Sequence, residues 1–208
     1  MTPPLPASSQ EVAVEAEAEV AALVARYEEE PEHVTHVAAL ADALFLALAP
    51  WHGRGEGCRL RLRAAALLHD IGWSQTPDGR GHHKESARLI GEWKWKTLPP
   101  GEIALVAQIA RYHRKSVPRP DHAAYTALPP DHRRTVSVLG GLLRIADALD
   151  RTHTQRIATL RARIAPTEIV VLVTPKPGGA WDEERAMAEK KKDLLEAEAQ
   201  RPVRFEAA

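Results

Sequence analysis

The chain has a single cysteine, Cys58, so no internal disulfide can form and nothing in its cysteine usage points to an oxidising compartment. It also lacks a charge of one sign. Lys plus Arg and Asp plus Glu number 28 each, which removes any global electrostatic argument for nucleic-acid or anionic-membrane binding. No apolar run approaches the roughly 20 residues that a membrane span needs. The opening "MTPPLPASSQ" lacks the basic-then-apolar order of a secretory signal. These absences predict a cytoplasmic protein with no membrane and no specific nucleic-acid partner. A Gly-rich phosphate loop is missing too, which argues against P-loop chemistry.

What is present suits one domain with a small appendage, since 208 residues suffice for a sizeable core. Residues 1–9, rich in Pro and Ser, are expected to be disordered. Ser8 with Glu11 reads as a capping box opening an Ala- and Glu-rich helix to about Glu29. Pro31 suits the first turn of a second helix, with Val37, Leu40, Ala41, Leu44, Phe45 and Leu48 as its stripe. A break at "PWHGRGEG" leads to a third helix, "CRLRLRAAALLHD", stopped by Gly72. "HHKESARLIGEWKW" makes a fourth, residues 102–113 a fifth, and a sixth capped by Asp131 runs through about Asp150, after the Pro-rich connection "SVPRPDHAAYTALPP". After residue 156 the spacing changes to alternation. "EIVVLVTP", "RPVRFEA" and the hairpin partner "RARIA" read as strands, with "WDEERAMAEKKKDLLEAEA" as an intervening helix. The expected fold is mainly α: a helical domain over residues 10–156 and an α+β appendage over 157–208, remote from any site in the helices.

Polar residues interrupt the apolar stripes at matching places. His33 lies four residues before Val37 on the inward face of the second helix. His69 and Asp70 end the third helix, His113 ends the fifth, and Asp147 takes an apolar position in the sixth. Singly, each reads most simply as a core group satisfied by hydrogen bonds. Together they point to shared divalent metal, because a cation offsets the desolvation of buried carboxylates. His36 is expected beside such a site, and His52, His122, His132 and His153 on the surface or in loops.

The phrases "LLHDIGW", "GHHKESARLI", "ARYHRKSVP" and "LLRIADALDRTH", in that order, resemble the metal-dependent HD-domain phosphohydrolases, and more specifically the C-terminal HD-type domain of the exopolyphosphatase and guanosine pentaphosphate phosphatase (Ppx/GppA) family. The likeness covers roughly residues 20 to 206 and implies an HD-domain helical bundle. It implies His33, His69, Asp70 and Asp147 as ligands of one ion. The ATPase-like domains that hold the family's polyphosphate-cleaving site have no counterpart here, so exopolyphosphatase activity does not carry over. Where the family often reads "HHKHS" this chain has "HHKES", so Glu85 replaces a histidine that would serve a second ion.

The ligand types suit Mn, Fe, Co, Ni or Zn, whereas Mg relies more on oxygen and water. The implied activity is hydrolysis of a nucleotide, or another small phosphate ester, by a metal-activated water. Asp70, His83 and His113 are the candidate catalytic residues. His82, His83 and His113 would hold a second metal or donate to the phosphate, and Lys84, Arg114, Lys115 and Arg144 would pair with phosphate charge. The alternative is a regulatory module that binds polyphosphate or a nucleotide without turnover. A homodimer is compatible with either.

Overall fold

A computed structural model describes residues 9–208, with side chains from Val14 onward. The Ser8–Glu11 cap and the disorder expected before Ser9 therefore fall outside the described side chains and residues. α1 (Ser9–Tyr27) and α2 (Pro31–Ala47) are followed by a single-turn α3 (Ala49–His52), α4 (Glu56–Leu68) and a 3-10 turn at Trp73–Gln75. Then come α5 (His82–Glu92), α6 (Pro100–Arg111), a single-turn α7 (Ala123–Thr126) and α8 (Pro130–Ala148). The remaining elements are β1 (Ile157–Ile164), β2 (Ile169–Pro175), α9 (Asp182–Lys191), α10 (Asp193–Ala199) and β3 (Val203–Ala207). The protein is mainly α with a small α+β element at the C-terminus.

The apolar stripes explain the bundle. Val37, Leu40, Ala41, Leu44 and Phe45 of α2 are buried, as are Leu62, Ala65, Ala66 and Leu68 of α4. α8 is the central rod and packs against α2, α4, α6, α9 and α10. Its buried residues include Val136, Leu139, Gly140, Leu143 and Ala146, an almost all-round burial that fits a helix enclosed by neighbours. Several boundaries differ from the sequence reading. Asp131 does not cap α8, which starts at Pro130 with Pro129 as cap. α5 ends at Glu92, and Trp95 instead returns its indole N–H to the Ile90 carbonyl at 2.8 Å. The two stretches read as plain connections each contain one helical turn, α3 and α7, where Pro and Gly stop propagation after a turn.

β1 and β2 form an antiparallel hairpin, and β3 joins β2 in parallel, giving the order β1-β2-β3. A parallel neighbour requires a crossover. The expected single helix supplies it as two, α9 and α10, broken at Lys192. One continuous apolar core runs from Val20 through α8 to Val171 and Phe205, so the sheet shares its interior with the helices. No helix among the described residues is long and apolar enough to cross a membrane.

Candidate metal centre

The inward faces of α2, α4, α6 and α8 converge where their sequences carry His and Asp. His33, on the first turn of α2, sets its Nε2 3.7 Å from Asp147 Oδ1 and 3.9 Å from Asp70 Oδ2. His69, just beyond α4, sets its Nε2 3.5 Å from Asp70 Oδ2 and 3.8 Å from Asp147 Oδ1. The other oxygen of Asp70 faces a different pair: His82 Nε2 at 3.1 Å and His113 Nε2 at 3.4 Å. The two Nε2 atoms of that pair are 3.4 Å apart. Asp70 thus stands between two half-sites. Ligand atoms of His33, His69 and Asp147, and again of His69, Asp70 and His113, lie within 4.8 Å of one another.

All four histidines are held the same way round. His33 Nδ1 donates to Asp150 Oδ2 at 2.9 Å, and His69 Nδ1 to the Ala66 carbonyl at 2.7 Å. His82 Nδ1 donates to the Gly79 carbonyl at 3.0 Å, and His113 Nδ1 to the Ala110 carbonyl at 2.8 Å. Such outward N–H bonds leave Nε2 as the inward lone pair at His33, His69 and His113, the arrangement metal-ligating histidines need, whereas His82 Nε2 also meets the Arg114 guanidinium. The buried Nε2 atoms of His33 and His69 and Oδ1 of Asp70 have no hydrogen-bond partner. Unpartnered buried acceptors are costly, and a divalent cation is the species that satisfies this set of imidazoles and carboxylates together. The residues fit the metal.

The charges respond to this crowding. Burial opposes protonation of His33, but Asp147 and Asp150 outweigh it and raise it to about 10. Burial likewise opposes ionisation of Asp147, yet His33 and His69 hold it well below the usual carboxylate range. Asp70 is lowered in the same way, against its burial, by His69, His82 and His113. His113 is pushed down to about 3, by burial and then by the nearby charge of His69.

α5 is brought to Asp70 by Gly72. A Cβ there would lie 2.2 Å from the His82 carbonyl oxygen and 2.5 Å from the Ser86 nitrogen, so the first turn of α5 rests directly on the glycine backbone. Gly72 N–H also donates to Ser86 Oγ at 2.9 Å. Its φ of −72° is not that of a left-handed helix stop; α4 ends four residues earlier, and the glycine serves close approach instead. Trp73 stacks on the His82 ring at 4.4 Å, and Arg114 Nη1 lies 3.1 Å from His82 Nε2.

Of the other candidates, His83 is buried on α5 with Nδ1 unpartnered and its ring 6.3 Å from that of His113. Burial, then His82 and Arg114, press it down to about 4, so it is neutral at pH 7. Lys84 and Lys115 are exposed. Arg144 is buried and committed elsewhere: it donates to the carbonyls of Tyr112 at 3.1 Å and Lys115 at 3.3 Å, and to Asp193 at 2.9 Å. Glu85 pairs with Arg88, and the Asp70–His82–His113 cluster assembles without it. His52 and His122 are tied to the Phe45 carbonyl and the Tyr112 hydroxyl.

Sequence reasoning passed over four residues. Asp150 orients His33 and is legible only as a second carboxylate one turn beyond Asp147. His153, read as a loop residue, stacks on His33 at 3.8 Å and pairs with Glu30. Glu28 leaves Oε2 buried and unpartnered, and burial raises its carboxyl while His69 and Asp70 pull it in opposite directions. Lys191 comes from the segment expected to lie far from the site, and its Nζ is 3.5 Å from the His113 carbonyl.

No curated protein matches the chain. A family model for Ppx/GppA phosphatase, domain III, matches residues 16–193, a span that holds every ligand candidate and Lys191. The chain belongs to the Ppx/GppA phosphatase domain III family.

Proposed function

We propose that this protein is a phosphohydrolase with an HD-type metal centre, acting on a nucleotide or another small phosphate ester. The observation that supports it most is the shared carboxylate: Asp70 offers one oxygen to His33 and His69 and the other to His82 and His113, with all four imidazoles oriented by outward hydrogen bonds. His33, His69, Asp70 and Asp147 would hold one divalent ion, and Asp70, His82 and His113 a second. Such ions supply Lewis acidity and lower the pKa of water toward neutrality.

The chain's own residues do the rest. Arg114, beside His82, binds phosphate oxygen at the second half-site. His83, neutral and with Nδ1 uncommitted, would take up the proton that water releases as it attacks phosphorus, and the departing alcohol oxygen, on the opposite side, would take its proton from solvent. Trp73 covers one face of His82 and limits water there. Arg144 takes no part, since its donors are already used within the fold.

The test is phosphate release from a panel of phosphomonoesters, phosphodiesters and nucleotides by untagged protein loaded in turn with Mn, Fe, Co, Ni, Zn and Mg. Turnover that disappears in Asp147→Ala supports the reading. Stoichiometric metal without turnover on any member of the panel overturns it in favour of a binding module.

A further inference from the structure

Lys191 is the last residue of α9, which packs against α8, the helix that carries Asp147. Two of its basic neighbours are paired. Lys192 Nζ meets Glu189 at 2.7 Å and Glu196 at 3.3 Å, and Arg144 meets Asp193 at 2.9 Å. Among the described residues Lys191 has no carboxylate within ion-pair distance, and its one hydrogen bond is the 3.5 Å contact with the His113 carbonyl, at the outer limit of such bonds. It is nevertheless half-buried. A desolvated ammonium without a direct ion-pair partner is costly, and an anionic ligand at the neighbouring candidate metal centre would supply one.

Two further observations give the site a direction. Asp147 and Asp193 lie near enough to attract the Lys191 amine, and Arg144 and Arg114 near enough to repel it. The amine meets the His113 carbonyl and lies near Arg114, which flanks the second half-site. The opposite flank, around His33, carries Glu28 and Glu30. Negative charge on a ligand is favoured at the Lys191–Arg114 side and disfavoured at the other.

We propose that Lys191 binds the phosphoryl oxygens of the ligand at this centre, and that with Arg114 it selects a terminal phosphate dianion over a diester monoanion. The inference rests on the phosphohydrolase reading and deepens it: the C-terminal segment supplies part of the substrate site.

The experiment is calorimetric titration of metal-loaded protein with inorganic phosphate and, in parallel, with dimethyl phosphate, which needs no turnover. Wild type should prefer phosphate. Lys191→Met, which keeps the aliphatic stem, should weaken phosphate binding at least tenfold and narrow the preference over dimethyl phosphate. Metal content and unfolding midpoint should be unchanged, and Lys191→Arg should recover most of the affinity. Wild-type binding of phosphate that Lys191→Met reproduces would overturn the role of Lys191 alone. Metal-loaded wild type that binds no phosphate would overturn both this inference and the phosphohydrolase reading.

Discussion

His33 and Asp150 are joined by a 2.9 Å hydrogen bond from Nδ1 to Oδ2, and Asp150 is itself fixed by the Gln155 N–H on its other oxygen at 2.8 Å. A candidate ligand imidazole is therefore oriented by a carboxylate outside the cluster that Asp70 and Asp147 make with it. Asp150 lies one turn past Asp147, so the end of α8 and the turn after it provide both a candidate ligand and the group that aims a candidate ligand on another helix.

Removing that support should weaken metal binding without deleting a ligand. Asp150→Ala is expected to lower affinity about 10–100-fold, the usual effect of losing an orienting partner. Asp150→Asn retains a neutral acceptor and should lose less. Competition against a chelator measures both, and an unchanged affinity in Asp150→Ala would show that the hydrogen bond is incidental.

The shared position of Asp70 gives a stoichiometric prediction. His82→Ala or His113→Ala should leave one ion bound, because His33, His69, Asp70 and Asp147 remain. Asp70→Ala should empty both half-sites. Elemental analysis of untagged protein decides it; two retained ions in Asp70→Ala would contradict the bridging geometry.

The convergence of His33, His69, Asp70 and Asp147 was legible in the sequence because they sit in or at the ends of helices whose apolar spacing announces which face is inward. His33 shares the stripe of Val37, and Asp147 breaks an otherwise apolar seam, so the spacing alone places both on inward faces. The rest depends on contacts between elements far apart in the chain. His82 and His83 are adjacent, and only the seating of α5 on Gly72 decides that His82, not His83, pairs with Asp70. Arg144 looked free because its partners, the Tyr112 and Lys115 carbonyls and Asp193, lie about 30 and 50 residues away. Lys191 and His153 belong to segments whose local pattern, a charged helix and a polar turn, says nothing of what they face.

Metal-free protein should be most stable near pH 6.5. His33, raised to about 10 by its carboxylates against its burial, contributes stability that is complete below its unfolded value of 6.5 and lost as pH rises toward 10. His113 and His83, pushed down chiefly by burial to about 3 and about 4, contribute stability present above 6.5 and lost as pH falls toward those values. Urea midpoints measured in chelator across pH 4 to 10 should therefore fall on both sides. On the proposed reading metal would take the place of the His33 proton, so loading should remove the alkaline limb, and affinity should rise with pH through this range. A flat alkaline limb in metal-free protein would contradict the pairing of His33 with its carboxylates.

Gly72→Ala should separate the two half-sites. The added methyl would sit 2.2 Å from the His82 carbonyl and 2.5 Å from the Ser86 nitrogen, both backbone atoms that cannot rotate away. The first turn of α5 must move outward, at a cost of about 1–3 kcal/mol for overpacking. His82 moves with it, and so does the hydrogen bond from Gly72 N–H to Ser86 Oγ. His33, His69, Asp70 and Asp147 lie on α2, the end of α4 and α8, none of which rests on this contact. The expected variant is folded and somewhat less stable, keeps one ion at near wild-type affinity and loses the second. Unfolding midpoint and metal stoichiometry read the two effects separately. Loss of stability with both ions retained would mean that α5 can shift without carrying His82 away from Asp70.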